Sequence, residues 1–216
     1  LLPGFLWGVI IANLIHGVPV NAQMNYAGTI LTPFNPFALL GGLTVVALFA
    51  LHGAIFLCLR LEGDLLKRAE AAAKNLWIPV LIMLAVLVVF GHSSSTIFHQ
   101  LLVNVRFLPF GYALLAALIS IPFLLRGHHN GWAFAMTSVI IVLGGVIIGL
   151  GFFPNLMISS LNPAWTLTIY NSSSSPYTLV VLSWIGLTVV PIVILYQAWN
   201  YYIFRKRIQP NNMGHY

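Results

Sequence analysis

Acidic residues are almost missing from this chain. Its 216 residues include three, Glu62, Asp64 and Glu70, all between residues 60 and 75. The long apolar stretches hold no carboxylate, so carboxylate-driven proton or cation coupling has no residue there to work with. Charge of either sign is scarce, at 6% of residues against about a quarter in a soluble domain. So few charges cannot cover the surface of a water-soluble globule of this length. Cysteine is down to Cys58, in an apolar run, which excludes a disulfide framework and a cysteine-based metal site. The net charge is +6, yet no basic face with interleaved aromatics accompanies it, so nucleic acid is not a partner.

What the chain does have is apolar length. It is 60% hydrophobic with a mean hydropathy of +0.96, and several uncharged runs reach the roughly 20 residues that cross a bilayer core. The expected fold is all-α: one polytopic transmembrane helical bundle over residues 1–216, with six spans. Span A covers 1–17, B about 36–59, C about 76–91, D about 107–125, E about 131–153 and F about 176–204. Asn35-Pro36 and Ser175-Pro176 read as a cap residue followed by proline at the first helical position, which sets the starts of B and F. Pro79 and Pro109 are placed in the first turns of C and D, and Pro191 deep in F, where it should kink the helix. A barrel would show short alternating strands instead.

Residues 60–75, RLEGDLLKRAEAAAKN, hold seven of the twelve charged residues and form the linker between B and C. The run is rich in Ala, Glu and Lys, reads as helical, and spaces its acids three or four residues from bases. It is expected to be a solvated connector, with a docking surface for a partner as the alternative. The A–B loop (18–35) and the E–F loop carry no charge, and the C–D loop has only Arg106. The other eight Lys and Arg residues lie in the linker, at Arg126 in the D–E turn, and at Arg205, Lys206 and Arg207 after F. That asymmetry makes linker, D–E turn and C-terminus cytoplasmic. Span A opens at LLPGFLWG with no basic anchor and reads as the remainder of a longer helix.

Histidines are the obvious candidates for chemistry. His16, His92 and His99 belong to the outer side, His128 and His129 to an inner turn, and His215 to the tail; only His52 lies well inside a span. A bis-histidine haem needs two imidazoles facing each other at one depth. His52 has no such partner and is expected to bond to a neighbouring helix. Asn13, Thr44, Ser183 and Thr188 are expected to make interhelical contacts. Gly4, Gly8, Gly145 and Gly149 fit small-xxx-small packing. Trp165, Tyr170, Tyr177, Trp199, Tyr201 and Tyr202 fall where an interfacial belt should. Asn171, in NSS, matches the glycosylation pattern of an outward loop. No residue is assigned as catalytic, cofactor-binding or metal-ligating.

Longer stretches carry a resemblance. GVIIANLIHGVPVN followed by FNPFALLGGLTVVALFALHGAIFLCLRLEGDLLKRA resembles the middle of subunit II of cytochrome bd-type quinol oxidases. That family shows a helix end like GN-L-GVPF, an NPF-LL-G helix start and an EG-L--R linker. WAFAMTSVIIVLGGVIIGLGFFPNLMISSLNPAWTLTIYNSSSSPYTLVVLSWIGLTVVPIVILYQAWNYYIFRKRI is similar to its C-terminal part, with the FP--M-SS helix end, the LT-----S outer loop and the P---LY-AW-Y--F--RI final helix. The likeness runs through nearly the whole chain in order and is weakest at residues 92–106.

The resemblance implies the last six helices of a nine-helix subunit in the prokaryotic cell membrane, with two four-helix bundles and a peripheral helix. It implies a haem-free subunit II paired with a subunit I that carries haem b558, haem b595, haem d and the quinol site. It leaves room for a small single-helix third subunit, and for a structural quinone or lipid in this chain. The complex would oxidise quinol, reduce dioxygen to water and build a proton-motive force without pumping. The family's DGFD-like motif and acidic proton-delivery residues match nothing in this sequence. A membrane transporter and a haem-binding cytochrome b-like subunit are the alternatives. The first needs a midplane ion site and the second needs matched histidines.

Overall fold

The computed structural model describes residues 1–95, 98–99 and 104–203. Six α-helices are described among these residues: α1 Leu2–His16, α2 Pro36–Arg60, α3 Gly63–Ser94, α4 Leu108–Arg126, α5 Asn130–Phe152 and α6 Pro176–Ile203. With apolar side chains on all faces, each segment meets its backbone hydrogen-bonding needs internally as a helix, as lipid demands. Helices α2 to α6 are long and apolar enough to cross a membrane, whereas α1, at 15 residues, is shorter.

Local chemistry sets several boundaries. Asn35 Oδ1 accepts from the Ala38 N–H at 2.9 Å, with Pro36 at the head of α2. Ser175 Oγ accepts from the Thr178 N–H at 3.3 Å, with Pro176 opening α6. Pro109 lies in the first turn of α4. Pro79 does not occupy a first turn, because linker and span C form one 32-residue helix that begins at Gly63. Pro79 is therefore inside α3, where it cannot donate to the carbonyl one turn back. Only Leu61 and Glu62 separate α2 from α3, and Gly63 sits at φ +63°, a left-handed conformation that suits glycine in so tight a reversal.

Helix α2 is the centre of the bundle, packing against α1, α3 and α5, while α4 packs on α5 and α3. One core joins Leu51 and Ile55 of α2, Ala73 and Val80 of α3, Leu118, Ile121 and Leu125 of α4, and Ala133 and Ile140 of α5. A second joins Val9, Ala12 and Ile15 of α1 with Phe37 and Ala38 of α2 and Phe152 of α5. Gly8 lets α1 approach α2 closely: a Cβ there would lie 2.7 Å from the Gly41 carbonyl oxygen and from Gly42 Cα. No residue of α6 is buried.

The connections sort to two ends. Loops 18–35 and 154–175 are joined by Val18 N–H to the Ile158 carbonyl (2.8 Å), Ser160 N–H to the Val18 carbonyl (2.9 Å) and the Ser159 hydroxyl to the Val20 carbonyl (2.8 Å). Within the second loop, β1 (Asn155–Met157) pairs antiparallel with β2 (Leu167–Thr168). The Ser95 hydroxyl, just past α3, donates to the Ile15 carbonyl at the end of α1. The start of α3 and the α4–α5 turn meet at the opposite end.

Candidate functional site

Polar side chains inside this bundle fall into three groups. The first is at mid-helix. His52 Nδ1 lies 2.8 Å from Thr137 Oγ1, linking α2 to α5, and its ring stacks on Phe134 at 4.6 Å. Thr137 donates its only hydroxyl proton to the Phe134 carbonyl at 2.9 Å. It must therefore accept from His52, so Nδ1 carries the proton and Nε2 the lone pair. This is the interhelical bond expected of His52.

The second group lies where the polar first turns of α3, before the apolar run from Leu76, meet the α4–α5 turn. Glu70 is 8% exposed. Its Oε1 lies 3.2 Å from His128 Nδ1 and accepts from Asn130 Nδ2 at 3.1 Å. Burial works against ionisation of Glu70. The hydrogen bonds from Asn130 and His128, with the charges of His128 and Lys74, outweigh it and hold the carboxyl below its ordinary range. Asn130 opens α5, so the carboxylate also faces the positive end of that helix dipole. His128 adopts φ +56°, which costs a non-glycine residue on the order of 1 kcal/mol. The linker is thus not solvated throughout. Lys67 and Asp64 pair on its exposed side at 3.1 Å, but Glu70 is a buried tie, because the helix turns its side chain inward.

The third group closes the other end. Asn13 Nδ2 donates to the Pro33 carbonyl at 2.6 Å, and Asn35 Nδ2 donates to Asn13 Oδ1 at 2.9 Å. Asn13 thereby ties α1 to the segment that starts α2, as expected. His92 and His99 stack face to face at 4.9 Å, and His16 packs by Phe37 at 6.0 Å. Haem ligation needs ring nitrogens opposed across an iron. Face-to-face rings do not present them so, and the His52 ring stacks on Phe134 rather than facing another imidazole.

Several expectations change. The hydroxyls of Thr44, Ser183 and Thr188 bond to carbonyls one turn back in their own helices, at 2.7, 2.7 and 2.8 Å, rather than across helices. Gly145 and Gly149 face open space, and a Cβ at either would meet nothing within 4 Å; the close approach uses Gly8, Gly41 and Gly42. Gly4 lies 3.3 Å from the Phe49 ring by the same measure. Asn171 spends its amide in its own turn, accepting from Thr168 N–H at 2.7 Å and donating to the Thr166 carbonyl at 3.0 Å. Tyr170, Tyr177, Trp199, Tyr201 and Tyr202 are all exposed, as a lipid-facing belt requires, while Trp165 is half-buried. His129 precedes the first residue of α5. His215, Phe204, Arg205, Lys206 and Arg207 lie outside the described residues. Glu70, Asn130, Ser95, Thr137 and Trp77, whose Nε1 donates to the Leu118 carbonyl at 2.8 Å, were not singled out by sequence. Their partners are dozens of residues away, and no local pattern marks such pairings.

Among the described residues, then, buried Glu70, Ser95, Thr137 and Ser159 join segments far apart in the chain, while Thr44 bonds within its own helix. Comparison with known proteins identifies the scaffold. The chain is similar to the cytochrome bd ubiquinol oxidase subunit 2 of Bacillus subtilis (strain 168), 36% identical over 96% of this chain and 61% of the relative. It is similar to the cytochrome bd-I ubiquinol oxidase subunit 2 of Escherichia coli (strain K12), at 30% identity over 96% of this chain and 63% of that protein. A probable cytochrome oxidase subunit 2 of Haemophilus influenzae is 28% identical over 97% and 64%. The chain thus spans somewhat under two thirds of the length of these relatives. The family model for cytochrome bd terminal oxidase subunit II matches residues 1–204, and the chain, a multi-pass membrane protein, belongs to that family.

Proposed function

We propose that this chain serves as the haem-free subunit II of a cytochrome bd-type quinol:dioxygen oxidoreductase in an aerobic respiratory chain. In this reading it assembles with and shields a haem-bearing subunit I. The complex passes electrons from quinol to dioxygen, forms water and builds a proton-motive force without pumping. The observation that carries the reading is the family match over residues 1–204. The haems belong to the partner, a view supported by histidines here that bond or stack without opposing one another. The loops at the α3–α4, α1–α2 and α5–α6 connections face outward, and the linker and C-terminus face the cytoplasm.

Shape is what the chain offers its partner. Helix α6 has no buried residue, and Gly145 and Gly149 leave a smooth, uncovered strip on α5. In lipid, helix association depends on close packing and a few hydrogen bonds. Gly145→Leu and Gly149→Leu are expected to lower the yield of complex while turnover per assembled haem stays unchanged. Quinol oxidase activity per haem, measured beside subunit stoichiometry, decides the point. A fully assembled variant with no turnover would assign this chain a direct catalytic or proton-conducting role instead.

A further inference from the structure

A cleft of about 540 Å³ opens between α2, α5 and α6, lined by Phe56, Leu59, Arg60, Phe134 and Tyr201. That volume lies within the roughly 300–1,000 Å³ typical of ligand clefts. Its walls are aromatic: Phe56 meets Phe134 at 5.8 Å and Tyr201 edge-on at 6.3 Å. Its rim is cationic. Arg60 is the last residue of α2, where the apolar run gives way to the polar start of α3, and its guanidinium lies 5.3 Å from the Phe56 ring centroid. Aromatic walls within about one turn of a cation, where α2 gives way to the polar start of α3, have the polarity of an anionic amphiphile.

We propose that this cleft holds an anionic phospholipid, its phosphate on Arg60 and an acyl chain against Phe56 and Phe134. The guanidinium has five N–H donors in a planar fork, enough to serve a phosphate alongside a protein acceptor. Tyr201, which also lines the cleft, carries a further hydroxyl donor. A basic residue between helices at the membrane face is how anionic headgroups are held. Free phosphate is the wrong occupant, because it gains nothing from the aromatic walls. The inference is argued from the cleft alone and rests on the oxidase reading for the complex in which it is tested.

The assembled complex, stripped of lipid in mild detergent, is offered equal phosphatidylglycerol and phosphatidylcholine, and retained lipid is weighed by native mass spectrometry. Retention of phosphatidylglycerol is expected to be roughly fivefold the greater, the worth of one cation near an anionic surface, and Arg60→Gln is expected to abolish the preference. Leu59→Trp, which fills the cleft without changing charge, should lower retention of both lipids. Inorganic phosphate added alone should displace neither. Equal retention by the unmodified complex, an unchanged preference in Arg60→Gln, full retention in Leu59→Trp, or displacement by inorganic phosphate would each overturn the proposal.

Discussion

Because Thr137 must accept from His52, the pair can be broken from either side with different residue effects. His52→Ala removes the donor and the stack on Phe134, whereas Thr137→Val removes only the acceptor. Interhelical hydrogen bonds in membranes are worth about 0.6 to 2 kcal/mol. A double-mutant cycle on unfolding of the assembled complex is expected to return a coupling of about 1 kcal/mol. Haem absorbance should stay complete in His52→Ala that assembles; loss of one haem signal would make this chain a ligand donor. Glu70 behaves differently because it titrates. Its folded carboxyl ionises below its ordinary range, so it contributes stability that is fully present above the unfolded value, about 4.3. That contribution is lost as pH falls through the depressed folded value. The stability gap between the native chain and Glu70→Gln should thus be constant near neutrality and close in acid. A gap that widened in acid would reverse the assigned direction.

At the scale of helices, what could be read from sequence was what neighbouring residues decide. Asn35-Pro36 and Ser175-Pro176 place helix starts because cap and first turn lie within four residues. The length and apolarity of α2 to α6 follow from composition alone. Pro79 was misplaced because charge in residues 60–75 reads as a break, while Ala, Glu and Lys continue a helix without interruption. Small-xxx-small spacing carries no direction: it pairs Gly145 with Gly149 as readily as Gly4 with Gly8. Only the partner helix tells them apart. Gly8→Ala puts a methyl group against the α2 backbone and should destabilise by about 1–3 kcal/mol. Gly145→Ala meets nothing and is expected to leave the chain's own stability unchanged or raise it by up to about 1 kcal/mol. Unfolding titrations of the two variants in mixed micelles should separate them clearly; equal losses would contradict the α1–α2 contact.

For the whole molecule, the ties sort the connections. The Asn13, Ser95 and Ser159 bonds gather three connections at one end, and the Glu70 bonds gather the linker and the α4–α5 turn at the other. The five long apolar helices were legible in the sequence. The ties themselves were not, because each joins segments far apart in the chain. Cysteine introduced at Ala72 is expected to react with an impermeant reagent only from the cytoplasm, and at Ser173 only from outside; both positions are exposed. Reaction of both from one side would break the architecture, and a swap would reverse only its orientation.

The clasp between loops 18–35 and 154–175 also has a history. Ser159 reaches Val20 across 139 positions of sequence, so during synthesis the first loop must wait, unfastened, until α5 has crossed and the second loop has emerged beside it. Closing an interval that long comes late. The clasp therefore acts as a seal on a finished insertion: a nascent chain with any intervening helix left out or turned round would present the two loops on opposite faces and stay open to proteases there.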